Sequence, residues 1–476
     1  MASSISLSSA KYAISEGDDC FKQKKYEEAI EKYSQAIGEF KYSNASQKDP
    51  TLLDAICKRG NAYYFHGDID KALDDLSRVI RLDPSNVVAY ATRGNVYRFN
   101  DDYDLAMSDC NKAIGLNPSY APAYAHRGEV YKCKNVLNQA LLDFSKAIEL
   151  DQNYALAYER RATVYYYQKQ YDQSLIDYSK AIDNDSNYAM AFVGRGIVHG
   201  SMKNYDMAIA DLSKAIEVNP KLVYAYYRRS IVYRIKRKFD IAIEDCTKAI
   251  GINPKYSYAF ESRGDAHDSI GNFDLAIADW TKAIQINPHS AGAYYSRGVA
   301  YWNEGENQLA IADLTKTIEI DSDYPNVYLY RGLSYQSSCT GLANPPQLDK
   351  ALSDFEEVLR RQPNQYDAQV LAERIHVYKA EVKLEYIKSS IRQCEHRLEQ
   401  WKYAERMDRA EASSKGVSYD RIAQSEGNRV YDSLSKLRDE ERNTLNFIRE
   451  NKGKLRSPNI APRPSKEKSK SGLFEW

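Results

Sequence analysis

Apolar residues recur along most of this chain at helical spacing, in two stretches per 34 residues. A small residue, usually the glycine of an Arg-Gly pair, marks the period at equal steps: Gly60, Gly94, Gly128, Ala162, Gly196, Ser230, Gly264, Gly298 and Gly332. Two apolar stretches at helical spacing per period predict two helices per repeat. We therefore expect an all-α protein built from consecutive helical hairpins.

The residues within one period explain how the two helices pack. With the small residue placed at position 8, positions 20 and 27 are also small, so that the helices can approach closely. Aromatic residues at positions 4 and 11, as in Tyr90 and Tyr97, are predicted to fill the remaining space. Asn-Pro or Asp-Pro at positions 31 and 32 is predicted to end the second helix, because proline cannot continue the hydrogen bonding.

This pattern resembles the tetratricopeptide repeat (TPR) family, whose 34-residue motif runs aromatic, leucine, glycine, tyrosine, alanine, phenylalanine, proline. Here Tyr or Phe stands in place of the motif's Trp, and Arg in place of its Leu. The resemblance covers nine repeats over residues 53–366, the last with a seven-residue insert between its helices, and a degenerate first repeat with an insert over 10–52. It implies a right-handed superhelical solenoid whose concave face is lined by the first helices.

The two ends of the chain depart from the period. Residues 1–9 are predicted to be a disordered N-terminus, and 453–476 a disordered tail that is basic and rich in Pro, Lys and Ser. Residues 367–452 are predicted to form a long helix followed by a helical hairpin or cap. From Val377 to Trp401 an apolar heptad seam favours a coiled coil, which would either pack against the chain itself or support self-association.

A charge pattern runs through all nine full repeats, with arginine at position 7 and aspartate at position 23. In the first repeat both charges are inverted together, as Glu16 and Lys32, which favours pairing within one repeat. We interpret the pattern as a structural ladder of ion pairs. The alternative, a row of arginines for anionic ligands, is disfavoured by the matched aspartates. Representative pairs are Arg93–Asp109, Arg127–Asp143, Arg195–Asp211 and Arg263–Asp279.

Composition and motifs exclude several classes of function. Sixty-six basic and 66 acidic residues leave no net charge to attract nucleic acid or an anionic membrane. Seven scattered cysteines without a CxxC pair fit a reducing compartment, so we expect a cytoplasmic protein. No catalytic, nucleotide-binding or metal-binding motif occurs, so we expect no enzyme activity, cofactor or metal.

The TPR resemblance implies a binding surface at positions 2, 5, 6, 9, 12 and 13 of each repeat. Reading these positions predicts a groove rich in aromatic and arginine side chains, the types that dominate protein interfaces. The candidate residues are Arg160, Tyr166, Tyr167, Tyr224, Tyr227, Arg228, Arg234, Tyr295 and Trp302. We therefore expect a scaffold or adaptor that binds an extended peptide or helix of a partner protein.

Three other functions stay open at this stage. The first is an oligomeric structural protein assembled through the seam at 377–401. The second is a catalytic role for the C-terminal extension, and the third is RNA binding by the basic tail. A clamp for the C-terminal carboxylate of a chaperone is not expected in repeats two to four, because only Asn61 matches the five residues it needs there.

Overall fold

The computed structural model of the protein describes residues 2–42, 46–338, 345–415 and 422–454. These residues form twenty-two α-helices and no strand, which confirms the all-α class. The chain divides into two compact units, with the boundary between Val232 and Tyr233 inside one helix.

The helices of the first unit pair as one hairpin per repeat. They are α1 (Ala2–Lys22), α2 (Tyr26–Tyr42), α3 (Pro50–His66), α4 (Ile69–Leu82), α5 (Val87–Phe99), α6 (Tyr103–Leu116), α7 (Ala121–Cys133), α8 (Leu137–Leu150), α9 (Ala155–Tyr167), α10 (Tyr171–Asn184), α11 (Ala189–Ser201) and α12 (Tyr205–Val218). Helix α13 (Val223–Ile235) contains the boundary between the units.

The second unit continues the repeats and ends in two much longer helices. Its helices are α14 (Phe239–Ile252), α15 (Ser257–Ser269), α16 (Phe273–Ile286), α17 (Ala291–Glu304), α18 (Asn307–Ile320), α19 (Val327–Ser337), α20 (Pro345–Arg361), α21 (Tyr366–Lys415) and α22 (Ile422–Lys454).

In repeats two to nine the second helix ends at the Asn or Asp of position 31. Asn117, for example, takes an extended backbone conformation with φ −141°, and its side-chain oxygen accepts a hydrogen bond from the Ser119 amide at 3.0 Å. Asp151, which no proline follows, accepts the same bond from Asn153 at 3.0 Å. The side chain therefore ends the helix with or without proline, because the turn it stabilises competes with the helical hydrogen bonds.

In repeats one to nine the turn inside the hairpin places position 15 in the left-handed conformation. Gly67 has φ +100° there, but Lys169 and Arg237 adopt φ 60° and 58° at the same position. A left-handed conformation costs a residue other than glycine roughly 1 kcal/mol. Tertiary packing of the hairpin therefore overrides the local preference in most repeats.

The small residues bring the two helices of a hairpin into direct contact. A Cβ added to Gly94 would lie 2.9 Å from the Cys110 sulfur, and one added to Gly128 would lie 2.8 Å from the Phe144 ring. Cys110 is fully buried, and this burial raises the pKa of its thiol to about 12. The thiol therefore stays protonated and serves as a packing group.

Two predictions about the ends of helices are wrong. Residues 2–9, predicted to be disordered, belong to α1, where Leu7 packs against the buried core of the first repeats. Pro345 and Pro346, predicted to lie in a loop, are the first residues of α20, a place that proline tolerates because the first helical amides need no partner in the helix. The rest of that insert, 339–344, lies outside the described residues.

The C-terminal extension first caps the last repeat and then folds into a hairpin. Leu371 and Ile375 of α21 are buried against Leu352 and Phe355 of α20. Further along, Ile391 and other seam residues of α21 are buried against α22. Helix α21 continues to Lys415, and residues 416–421 lie outside the described part of the chain. The predicted tail is described only as far as Lys454, the end of α22.

Candidate partner-binding site

The arginine of position 7 lies against the aspartate of position 23 in the same repeat. Arg93 donates to Asp109 through Nε at 2.7 Å and Nη2 at 2.9 Å. Arg331 holds Asp354 in the same way at 2.9 and 2.7 Å, although the insert separates them by 23 residues rather than 16. In the first repeat Lys32 contacts Glu16 at 2.8 Å. The other representative pairs, all at 2.7–2.9 Å, are Arg127–Asp143, Arg195–Asp211 and Arg263–Asp279.

The same arginine also contacts the preceding repeat. Nη1 of Arg93 donates to the Ser77 hydroxyl at 3.0 Å, and the guanidinium lies 5.8 and 5.6 Å from the ring centroids of Tyr90 and Tyr97. In all nine full repeats this arginine donates to position 25 of the preceding repeat, which is Ser, Asn or Thr. Arg127, for example, donates to Asn111 at 2.7 Å. The aromatic–Arg–Gly–aromatic pattern is therefore structural, because the arginine is paired with an aspartate of its own repeat and bonded to the preceding repeat.

A cavity of about 380 Å³ opens on the first-helix face of the first unit, the face formed by the first helices of its repeats. We call it the first-unit cavity. Five of the predicted binding residues line it: Arg160, Tyr166, Tyr167, Tyr224 and Arg228. The other residues that line it are Lys132, Glu159, Thr163, Tyr178, Met190, Val193, Gly194 and Ile197.

The floor of this cavity is formed by Tyr178, whose position depends on the small residues of its own repeat and of the next one. Repeat five has Ala162 at position 8, where most repeats have glycine. Its position-24 side chain, Tyr178, lies instead against Gly194 of the next repeat, where an added Cβ would come within 2.2 Å of the ring. The Tyr178 hydroxyl lies 2.9 Å from the Thr163 hydroxyl. Gly194 thus admits a tyrosine that supplies a polar group to the cavity floor.

Two buried carboxylates contact the basic residues of the first-unit cavity, and one of them, Glu159, lines it. Lys132 donates to Glu129 at 2.8 Å, and Arg160 Nε lies 3.2 Å from Glu159 and 3.8 Å from Glu129. Burial opposes ionisation of Glu129, yet Arg160 and Lys132 hold its pKa below the usual value. Burial raises the pKa of Glu159, and the opposing effect of Arg160 does not overcome it.

Aromatic side chains also line the cavity. The Tyr166 hydroxyl lies 3.2 Å from the Ser201 hydroxyl, and its ring centroid is 5.9 Å from that of Tyr167. The Arg228 guanidinium lies 5.8 Å from the ring centroid of Tyr224. Tyr227, which was also predicted for the groove, has its ring centroid 6.3 Å from that of Tyr224 but does not line the cavity.

The three predicted groove residues of the second unit are mostly buried. Arg234 forms an ion pair with Asp265 at 2.8 Å. Tyr295 and Trp302 pack against Tyr330, with ring centroids 5.9 and 5.4 Å apart, so the expectation of an exposed aromatic surface there is wrong. The reason is that Tyr330, at position 6 of the following repeat, covers both rings.

Sequence reasoning missed a row of exposed side chains in the early repeats, which we call the aromatic row because three of its four members are aromatic. Phe65, Phe99, Cys133 and Tyr167 occupy position 13 of four consecutive repeats, and all four are exposed. The Tyr64 ring lies 4.8 Å from Phe65 and 5.4 Å from Phe99, measured between centroids. Reading position 13 in repeats two to four would have found this row, which reaches the first-unit cavity at Tyr167.

The seam predicted for self-association is buried within the chain. Ile387, Ile391 and Leu398 of α21 pack against Val430 and Leu434 of α22. Ion pairs follow the same contact, Lys383 with Glu440 at 2.8 Å and Arg438 with Glu395 at 2.9 Å. The apolar seam therefore needs no second copy to cover it.

Consecutive two-helix hairpins, each with its own ion pair, define a helical repeat protein. Family models described as "TPR repeat" match residues 60–98 and 264–305. Models described as "Tetratricopeptide repeat" match 189–222 and, separately, 87–120, 223–256 and 291–324. The chain is a tetratricopeptide-repeat protein.

Several solved structures are similar to parts of the chain. The APC/C hetero-tetramer Cut9–Hcn1 aligns with a TM-score of 0.50 at 17% identity over 63% of this chain, which spans only 59% of that relative's length. YrrB, a TPR protein with an unusual peptide-binding site, aligns with a TM-score of 0.32 at 23% identity, covering 40% of this chain and 97% of its own. PilF of Pseudomonas aeruginosa aligns with a TM-score of 0.39 at 16% identity, covering 45% of this chain and 97% of its own. The likeness to Cut9–Hcn1 shows the fold alone.

No curated protein matches the sequence significantly. Within the described residues, no helix combines the length and the apolar character that crossing a bilayer requires.

Proposed function

We propose that this protein is a non-catalytic interaction scaffold that binds an extended peptide or a helix of a partner protein at the first-unit cavity. The observation that carries the proposal is the convergence of five predicted binding residues, from repeats five and seven, on one cavity of about 380 Å³. Cavities of this size, lined by aromatic and aliphatic groups with a few polar ones, are typical of ligand sites.

The aromatic row supports a partner that extends beyond the cavity. Exposed side chains at position 13, from Phe65 to Tyr167, lead along successive repeats to the cavity rim. Exposed aromatic side chains supply large contact areas at interfaces. Assembly through residues 377–401 is the weaker candidate, because α22 already buries that seam.

Site-specific photo-crosslinking tests the proposal in the full-length protein. Tyr167 is replaced with a benzoylphenylalanine residue, and adducts formed in extracts of the expressing cells are identified by mass spectrometry. Ile176 of α10 is the matched control, because both side chains are 61% exposed and both belong to repeat five, but only Tyr167 lines the cavity. We expect a protein adduct at position 167 that the additional change Tyr224→Ala strongly reduces.

Two results would contradict the proposal. Adducts that form equally at positions 167 and 176 would indicate non-specific contact with the surface. Adducts at position 167 that are insensitive to Tyr224→Ala would show that the cavity takes no part in binding.

A further inference from the structure

Aromatic rings of the first three repeats, next to an acidic turn, form a surface outside the first-unit cavity. We propose that this surface binds an arginine side chain presented by a segment of a partner protein. The inference rests on the proposed function and deepens it, because it names the chemistry of the part of the partner that extends beyond the cavity along the aromatic row.

Five aromatic rings contact one another across repeats one to three, and we call them the five-ring strip: Phe21, Tyr26, Phe65, Tyr64 and Phe99. The ring centroids in contact are 4.8–5.4 Å apart. Phe65 and Phe99 are 49% and 59% exposed. Among the described residues, no lysine or arginine lies over any ring of the strip. Its exposed aromatic surface can therefore receive a cation from outside the chain.

The turn that follows Phe99 is acidic. Asp101 accepts a hydrogen bond from the Tyr103 hydroxyl at 2.7 Å, and Asp102 accepts one from the Asn100 side-chain amide at 2.7 Å. Both donors are neutral, and neither carboxylate forms an ion pair with another residue that the structure describes. The turn therefore carries two negative charges without a counter-charge of their own.

The cations closest in sequence and in the next repeat are held by other groups. Lys134 pairs with Asp104 at 2.8 Å. Arg98 donates through Nε and Nη2 to Oδ1 of Asn95 at 3.1 and 2.9 Å. The charges of the two turn carboxylates are therefore left for a ligand.

The protein itself shows which side chain such a combination of groups holds. Arg93 lies 5.8 and 5.6 Å from the ring centroids of Tyr90 and Tyr97 while it pairs with Asp109. The five-ring strip and the acidic turn present the same groups, rings and carboxylates, at the surface. A guanidinium suits them because it stacks on a ring and donates to a carboxylate at the same time, whereas an ammonium group is a compact and strongly hydrated charge.

The other end of the strip lacks this acidic character. Lysines occupy three of the four positions before Tyr26 in the turn of repeat one, and two of them pair with acidic residues there. A cationic side chain is therefore favoured at the Phe99 end of the strip, and apolar groups of the same segment at the Phe65 end.

The experiment uses three fluorescent peptides that differ only in the side chain under test, GSFRPRFSG, GSFKPKFSG and GSFQPQFSG. They are titrated into the full-length protein at low salt by fluorescence anisotropy. We expect the arginine peptide to bind about threefold more tightly than the lysine peptide of equal charge, and the glutamine peptide to bind least. Added salt should weaken the two cationic peptides and leave the glutamine peptide unchanged.

Substitutions at the surface identify the contact. Phe99→Leu keeps an apolar group but removes the ring, so it should abolish the preference for arginine over lysine. Asp101→Asn combined with Asp102→Asn should weaken both cationic peptides several-fold. Asparagine tolerates the left-handed backbone of Asp101, which has φ 61°, so this variant is expected to fold, and circular dichroism checks both variants.

Two variants away from the strip serve as matched controls. Phe447→Leu removes a phenylalanine of α22 that is 42% exposed. Asp172→Asn combined with Asp183→Asn removes two exposed carboxylates of α10, so the net charge changes as in the turn variant. Both controls should bind the three peptides like the wild type.

The outcomes separate this inference from the proposed function. Equal affinity for the arginine and lysine peptides, or an unchanged preference in Phe99→Leu, would overturn stacking on the strip. Equal weakening by the turn variant and its α10 control would overturn the role of the turn. Loss of peptide binding in Tyr224→Ala would mean that the peptides occupy the first-unit cavity, which would overturn the inference and support the proposed function. Absence of binding by all three peptides would also overturn the inference, whereas the crosslinking at Tyr167 decides independently whether the cavity binds a partner.

Discussion

The ion pair of each repeat yields the sharpest stability prediction. Asp109 accepts two hydrogen bonds from Arg93, and its side chain is 9% exposed. Asp109→Asn keeps the shape of the side chain, but the amide can accept only one of the two bonds and turns an N–H group towards the other guanidinium nitrogen. The arginine then remains in a mostly buried site without its counter-charge.

The expected cost follows from this geometry. Breaking a buried ion pair by removing one partner destabilises a protein by about 3–5 kcal/mol. Arg93 keeps its bond to Ser77 and its contacts with Tyr90 and Tyr97, which places the effect at the low end of that range. We therefore expect Asp109→Asn to lower the local free energy of unfolding in α5 and α6 by about 3 kcal/mol.

Hydrogen exchange measured by mass spectrometry is the appropriate assay, because a stack of repeats need not unfold as one unit. A loss of about 3 kcal/mol corresponds to roughly hundredfold faster exchange in peptides from α5 and α6. Asp104→Asn is the matched control, because Asp104 lies on the same helix and pairs with Lys134 at 2.8 Å, but its side chain is 95% exposed. Exchange in that variant should match the wild type.

Two results would refute this reasoning. Equal effects of Asp109→Asn and Asp104→Asn would mean that burial does not decide the strength of the pair. Replacement of both partners, Arg93→Leu with Asp109→Leu, should recover much of the loss, because no charge is then left unpaired. A double variant no more stable than Asp109→Asn would show that the lost stability does not come from the unpaired arginine.

Three further predictions concern a turn, a buried acid and the C-terminal hairpin. Lys169→Gly should raise the thermal midpoint of unfolding, because Lys169 holds φ 60°, a conformation that glycine adopts without strain. Lys180→Gly should lower the midpoint, because glycine is unfavourable inside a helix such as α10. Equal shifts of the midpoint in the two variants would contradict this reasoning. Burial raises the pKa of Glu261 from 4.5 to about 7, so the folded state binds the proton more tightly and stability falls as the pH rises between these values. Glu261→Gln should remove that loss and raise the thermal midpoint at pH 8, and an unchanged pH profile would count against it. Leu434→Ala should destabilise α22 by about 2–4 kcal/mol in hydrogen exchange, whereas Tyr431→Ala on the exposed side should have little effect; equal protection in the two variants would disprove the packing.

The repeat period was sufficient to predict the fold, because each hairpin is determined by local spacing. Glycine at position 8 and alanine at positions 20 and 27 identify both helices and their contact. Other features depend on what a neighbouring repeat contributes. Lys169 at φ 60° has no local signal, since lysine seldom takes that conformation alone. The bond from Arg93 to Ser77 joins position 7 of one repeat to position 25 of the one before, and pairs within one repeat do not reveal it.

The candidate site was only partly predictable for the same reason. Position numbers identified Arg160, Tyr166 and Arg228, since these positions face outward in the family. They could not show that Tyr330 covers Tyr295 and Trp302, because burial depends on the size of the side chain in the following repeat. Nor could they show the cavity floor, which depends on Ala162 displacing Tyr178 towards Gly194.

The location of the ion pairs also bears on how such a chain can change in length. Both charged partners belong to one repeat unit, and the bond from the arginine to the preceding unit goes to an uncharged hydroxyl or amide side chain. Repeat two accepts this arrangement from repeat one even though the charges of repeat one are exchanged, because Arg59 bonds to Ser34 and not to Lys32. Duplication or deletion of a whole unit during evolution would therefore leave the arginine of position 7 with its own aspartate on both sides of the new junction.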